Sequence, residues 1–217
     1  MNEKQSIFER IKLYIIKPSV FFEKYKENPK YLFHLMVLTI IAIASSLISF
    51  YVNRQALDDT LNESLSGVTG QEADIISSFF GMINSPVTAF FGALILTIIG
   101  YFLGSLIYYV IVGKIFKGEG KFNHMMIIVL LASYPTSLIA LVKSFLPTSL
   151  DVDLIRTITT KVNIFSLWQL FLLIIGTTVL FNMSKKKAAI IYIVLFIIGL
   201  LFALWSFSMS NAAAALQ

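Results

Sequence analysis

Cysteine is absent from the 217 residues, which removes disulfides, thiol catalysis and cysteine-based zinc sites together and leaves the redox compartment open. Charge is scarce as well: 13% of the residues are charged against 57% hydrophobic, and the mean hydropathy is +0.82. A soluble chain of this length cannot hide so many apolar side chains, whereas a bilayer-embedded chain need not hide them. The long apolar segments carry no fixed charge in their interiors, with Lys114 and Lys143 only at their ends. Ion- and proton-coupled transporters usually need an intramembrane carboxylate or broken helices, so coupled transport is disfavoured, although passage of a neutral solute is not. The patterns G-x-S-x-G, H-E-x-x-H, the P-loop and G-x-G-x-x-G do not occur, and no aspartate falls within a span. No catalytic residue, no metal ligand and no cofactor-binding residue is therefore assigned. The two histidines, His34 and His124, lie at the ends of spans, where they could meet near Glu119. Such a set is too loose for a metal site, and local hydrogen bonding is expected instead. The first 30 residues are too charged for a cleavable signal peptide.

What is present is an all-α, polytopic membrane pattern with five spans, at about 31–52, 86–116, 124–142, 164–183 and 188–209. Residues 1–30 read as an amphipathic, interfacial arm: a helix from Glu3 to Lys17 with Ile7, Ile11 and Ile15 on one stripe, then a short helix holding Phe21 and Phe22. With Arg10, Lys12, Lys17, Lys24, Lys26 and Lys30 alongside, the arm is expected to lie on an anionic membrane surface. Asn28-Pro29 should open the first span. Leu57, Leu61 and Leu65 predict one amphipathic helix between the first two spans, and Thr69-Gly70-Gln71-Glu72 a capping box for a second. Ser149 to Val162 predicts a further surface helix. Lys185, Lys186 and Lys187 predict a tight turn between the last two spans, and Ala212 to Gln217 resembles a cloning scar.

Small residues recur along the spans. Ala89, Ala93, Thr97, Gly100 and Gly104 form a seam with a G-x-x-x-G pair, Gly176 follows Gln169 by seven residues, and Gly199 with Ala203 repeats the spacing. Intramolecular helix packing is the first expectation for these seams, and a homo-oligomer the second. Pro135 removes the amide that would bond the Leu131 carbonyl, so a kink is expected, with Ser133, Tyr134 and Ser137 serving the freed groups.

Thirteen of the 17 lysines and arginines lie in the N-terminal arm, the turn after the second span and the turn after the fourth; the opposite loops hold Arg54, Lys143, Arg156 and Lys161. This bias places the N-terminus in the cytoplasm and the C-terminus outside, as an odd number of spans requires. The basic residues are thus topology determinants beside a lipid bilayer, and no nucleic acid partner is expected.

Lys17-Pro18 before Phe21-Phe22, Asn28-Pro29, Lys117-Gly118-Glu119-Gly120-Lys121-Phe122 after the second span, Tyr134-Pro135 inside the third and the short lysine turn occur in one order. That order, over about residues 7 to 209, resembles the Yip1 family of five-span membrane proteins. The resemblance implies Gly118, Gly120, Phe122, Tyr134 and Pro135 as its motif residues. The brief N-terminal arm and the Ile/Lys/Asn-rich character suggest a bacterial plasma membrane, where the Rab-type GTPase partners of eukaryotic members do not carry over. For a bacterial member the resemblance implies a non-enzymatic accessory protein that assists assembly of another integral membrane complex, such as an ABC-type exporter. A transporter or channel for a lipid or a small neutral or toxic solute is the alternative, its path lined by Ser133, Tyr134, Thr136 and Gln169.

Overall fold

The computed structural model describes residues 6–147 and 154–214. Helices are the only regular structure among them: α1 (Ile7–Ile16), α2 (Pro18–Glu23), α3 (Leu32–Val52), α4 (Arg54–Ser64), α5 (Gln71–Ile83), α6 (Pro86–Tyr109), α7 (Phe122–Lys143), α8 (Leu154–Lys161), α9 (Ile164–Leu180) and α10 (Lys185–Ala214). The last turns of α6 widen into a π-helix over Val110–Ile115. Five helical stretches are long and apolar enough to cross a bilayer: Leu32–Val52, Pro86–Ile115, Phe122–Lys143, Thr157–Leu180 and Lys185–Met209.

The chain forms two compact units. The first comprises Met1–His34, Tyr101–Thr136 and Asp151–Gln217, and the second Leu35–Gly100 with Ser137–Leu150. The first unit has a dense core centred on α7. Met125 to Ser133 are buried without a break, as expected of a helix that is apolar on all sides and enclosed by others. Phe21, Phe22, Val112, Leu172, Phe181 and Tyr192 complete that core. In the second unit the apolar faces stay largely open. Its α3 and α6 meet where the Ser46 hydroxyl donates to the Ala89 carbonyl at 3.1 Å.

Several boundaries differ from the sequence expectation, each for a local reason. Ser6 caps α1 through a reciprocal box with Glu9, so the helix starts at Ile7 rather than Glu3. Gly70, at φ 71°, ends the preceding turn and caps α5 by its backbone conformation alone, so the Thr69 capping box does not form. Pro29 precedes α3, which begins at Leu32. Lys185, Lys186 and Lys187 are not a turn but the first residues of α10; the turn is made just before them, with Asn182 in the left-handed region at φ 51°. Residues 149–153 of the expected surface helix and 215–217 of the tail lie outside the described residues, while Ala212 to Ala214 continue α10.

Candidate functional site

One face of the short helix α2 belongs to the core, while Ser19, Val20 and Glu23 remain exposed. Phe21 and Phe22 are buried, and the Phe22 ring meets α9 where a Cβ at Gly176 would come within 3.0 Å of it and of Ile128. Gly176 therefore packs inside the first unit. On α1 the residues divide by face: Leu13 and Tyr14 pack against the core, whereas Phe8, Ile11, Ile15 and Ile16 remain exposed.

Tyr14 answers the question that Pro135 raises. The helix α7 continues through the proline, and the carbonyl of Leu131 accepts a 2.8 Å hydrogen bond from the Tyr14 hydroxyl, 117 positions earlier in the chain. The expected local donors are used elsewhere. The Ser133 hydroxyl donates to Val129 O at 2.8 Å, and the Tyr134 hydroxyl lies 2.9 Å from His34 Nδ1. On its other side, His34 Nε2 lies 3.0 Å from the Tyr25 hydroxyl. With a neutral imidazole, one tyrosine donates to the ring and the other accepts from it. Edge-to-face contacts of 5.4 to 5.8 Å link Tyr14 to Phe21, Tyr25 to His34 and His34 to Tyr134, while a tilted contact joins Phe21 to Tyr25. The arm is thus closed onto α7 by a circuit of rings and hydrogen bonds. Burial raises the Tyr14 hydroxyl pKa above its usual value, and the nearby Tyr134 adds to the rise. Burial also raises Tyr25, with the Arg10 charge opposing it.

The glycine turn is a second closed structure. A Cβ at Gly118 would fall 2.9 Å from the Phe181 ring, and one at Gly120 2.6 Å from it. Gly118 N–H donates to Val112 O and Glu119 N–H to Phe181 O. The Glu119 carboxylate accepts from Asn182 Nδ2 at 3.0 Å. Phe122 faces inward, with its ring 6.0 Å from Tyr109 and 6.2 Å from Phe102. These three motif residues therefore shape the turn, and what they leave at the surface is Lys114, Lys117, Glu119 and Lys121.

The two histidines do not meet. His124 Nδ1 accepts from Lys121 N–H, so its Nε2 carries the proton that reaches Lys26 O at 3.0 Å. That bond ties the arm to the glycine turn, as the Glu119–Phe181 bond ties the turn to the end of α9. The arm, the glycine turn and the α9–α10 connection are thus joined, with Arg10, Lys12, Lys17, Lys24, Lys26, Lys30, Lys185, Lys186 and Lys187 exposed. Among the described residues no cluster of three or more His, Cys, Asp or Glu side chains is placed to hold a metal ion.

The remaining small-residue positions differ from Gly176. A Cβ at Gly92, Gly100, Gly104 or Gly199 would meet nothing within 4 Å among the described residues, and Ala203 is half-buried. Intramolecular packing engages the seam on α6 at Ala89 and leaves its glycines bare. Sequence reasoning singled out the two ends of these contacts unevenly. It marked Pro135 and Gly176 but not Tyr14, Phe181 or Asn182, whose only signals are an aromatic on the inward face of α1 and an asparagine before a helix.

A profile of the Yip1 domain matches residues 12–207. The chain is also similar to a protein described as membrane protein YknW of Bacillus subtilis, with 29% identity over 234 aligned positions that cover 99% of this chain and 95% of the relative. No solved structure matches it.

Proposed function

The chain belongs to the Yip1 family of membrane proteins, and from that membership we propose that it is a non-enzymatic accessory protein of a bacterial plasma membrane. It binds another integral membrane complex and aids its assembly or stability. An ABC-type exporter is the partner class that the family resemblance implies for a bacterial member.

The observation that carries this reading is the bare glycine face of α6. Only 6% of the apolar window within Pro86–Ile115 is buried, and a Cβ at Gly92, Gly100 or Gly104 would meet nothing within 4 Å among the described residues. Lipid is satisfied by any apolar side chain, so exposure to lipid gives no reason for glycine there. Glycine lets a second helix approach backbone to backbone, which is how membrane helices associate when no hydrophobic force drives them. A charged end that presents Lys114, Lys117 and Lys121 beside the arm supplies a further contact surface.

The transport alternative has less to support it. The side chains that would line its path are joined to their own fold: Thr136 Oγ1 donates to Ser133 O at 3.0 Å, Ser133 is buried, and Tyr134 is held by His34.

Affinity purification from native membranes tests the proposal. The wild-type chain should emerge with an integral membrane partner, and Gly100→Ile should lose that partner while keeping its own fold, because the added side chain enters open space. A wild-type chain that emerges alone, or with copies of itself only, would overturn it.

A further inference from the structure

We propose that the cleft between α9 and α10 is a binding site for one anionic phospholipid. The cleft lies wholly within the first unit, has a volume of about 230 Å³, and is open along its side. Pockets that enclose a discrete drug-sized ligand run from about 300 to 1,000 Å³. This cleft is too small for one and suits a molecule that leaves most of itself in the surrounding bilayer.

The chemistry of the lining selects the lipid. Lys161, the exposed last residue of α8, and Gln169 of α9 line the cleft, and the Tyr108 ring lies against the Tyr192 ring at 5.5 Å. Lys161, Gln169 and Tyr108 offer hydrogen-bond donors, and among the described residues no carboxylate lines the cleft. Their donors are also underused. Gln169 Nε2 makes one long bond, 3.4 Å to Ser133 Oγ, while Lys161 has no ion pair and the Tyr108 hydroxyl no hydrogen bond among the described residues. Lys161 is the last residue of α8 and Gln169 lies in the second turn of α9, past the cap at Asn163, and the flexible lysine stem adapts the spacing between them. A phospholipid presents acceptors in the same order, an anionic phosphate above two ester carbonyls. Lys161 takes the phosphate, and Gln169 and Tyr108 donate to the esters. Leu173 and Leu195 line the apolar part for an acyl chain, and Gly199 leaves the room in which that chain lies. Ser166 takes no part, because its hydroxyl already donates to Asn163 O at 2.8 Å.

The test is a lipid titration of the purified full-length chain by native mass spectrometry, with phosphatidylglycerol and phosphatidylcholine of matched acyl chains. Phosphatidylglycerol should bind more tightly. Lys161→Gln should weaken it on the order of tenfold, the worth of one charge-assisted hydrogen bond, and leave phosphatidylcholine unchanged. Gly199→Leu, whose Cβ has nothing within 4 Å and whose side chain occupies the cleft, should weaken both lipids. Lys143→Gln, at a helix end outside the cleft, should change neither. Equal binding of the two lipids by the wild-type chain would overturn the site, as would a phosphatidylglycerol preference that survives Lys161→Gln or a lipid complement unaffected by Gly199→Leu.

Discussion

Tyr14 makes for α7 a hydrogen bond that the helix cannot make for itself. The Leu131 carbonyl faces the nitrogen of Pro135, which carries no hydrogen, and an orphaned carbonyl in an apolar setting costs about 1–3 kcal/mol. Tyr14→Phe keeps the ring and removes the donor, so it should destabilise the chain by about 1–3 kcal/mol in a denaturant or thermal melt in detergent. The same hydroxyl predicts a pH dependence. Its folded pKa is raised by burial, so the folded state holds the proton more tightly than the unfolded state does. The stabilisation is complete below the ordinary tyrosine value of about 10 and is lost as the pH rises through the raised value. Melting temperature should therefore fall above about pH 10, and fall less steeply in Tyr14→Phe. Glycine gives a contrast of sign. Gly120→Ala drives a methyl to 2.6 Å from the Phe181 ring and should cost about 1–3 kcal/mol as overpacking. Gly100→Ala enters open space on a helix and should gain up to about 1 kcal/mol from helix propensity. The sequence marked both glycines as special, but spacing alone does not distinguish a glycine pressed against a ring from one that faces nothing.

At the scale of elements, the spans were readable because length and apolarity decide them, and the structure reproduces all five. Their ends were not, because ends depend on caps and turns. Asn182 in a left-handed conformation places the turn ahead of the lysines, and Gly70 replaces a side-chain cap. The inward packing of α2 was not readable for another reason. Phe21 and Phe22 between lysines do not say what they pack on, and the notch that receives Phe22 is left by Gly176 on a distant helix. The same distance hid the Tyr14 contact, which spans 117 positions. Coupling between α1 and α7 is measurable. Pro135→Ala restores the backbone amide opposite Leu131, so the cost of Tyr14→Phe should shrink by roughly 1 kcal/mol in that background, read as a double-mutant cycle. Strict additivity of the two substitutions would contradict the pairing.

For the whole molecule, the basic residues define a polarity that the hydrogen bonds of the first unit reinforce. His124 joins the arm to the glycine turn, and Glu119 joins that turn to the α9–α10 connection just ahead of Lys185, so three lysine-bearing segments share one end. We propose that five membrane crossings keep this end in the cytoplasm. Because the chain contains no cysteine, single introduced cysteines can be labelled with a membrane-impermeant maleimide without background. In intact cells Ser64→Cys, in α4, should react at once, and Ser184→Cys, before α10, only after the membrane is permeabilised. Reaction of Ser184→Cys from outside intact cells would contradict the account.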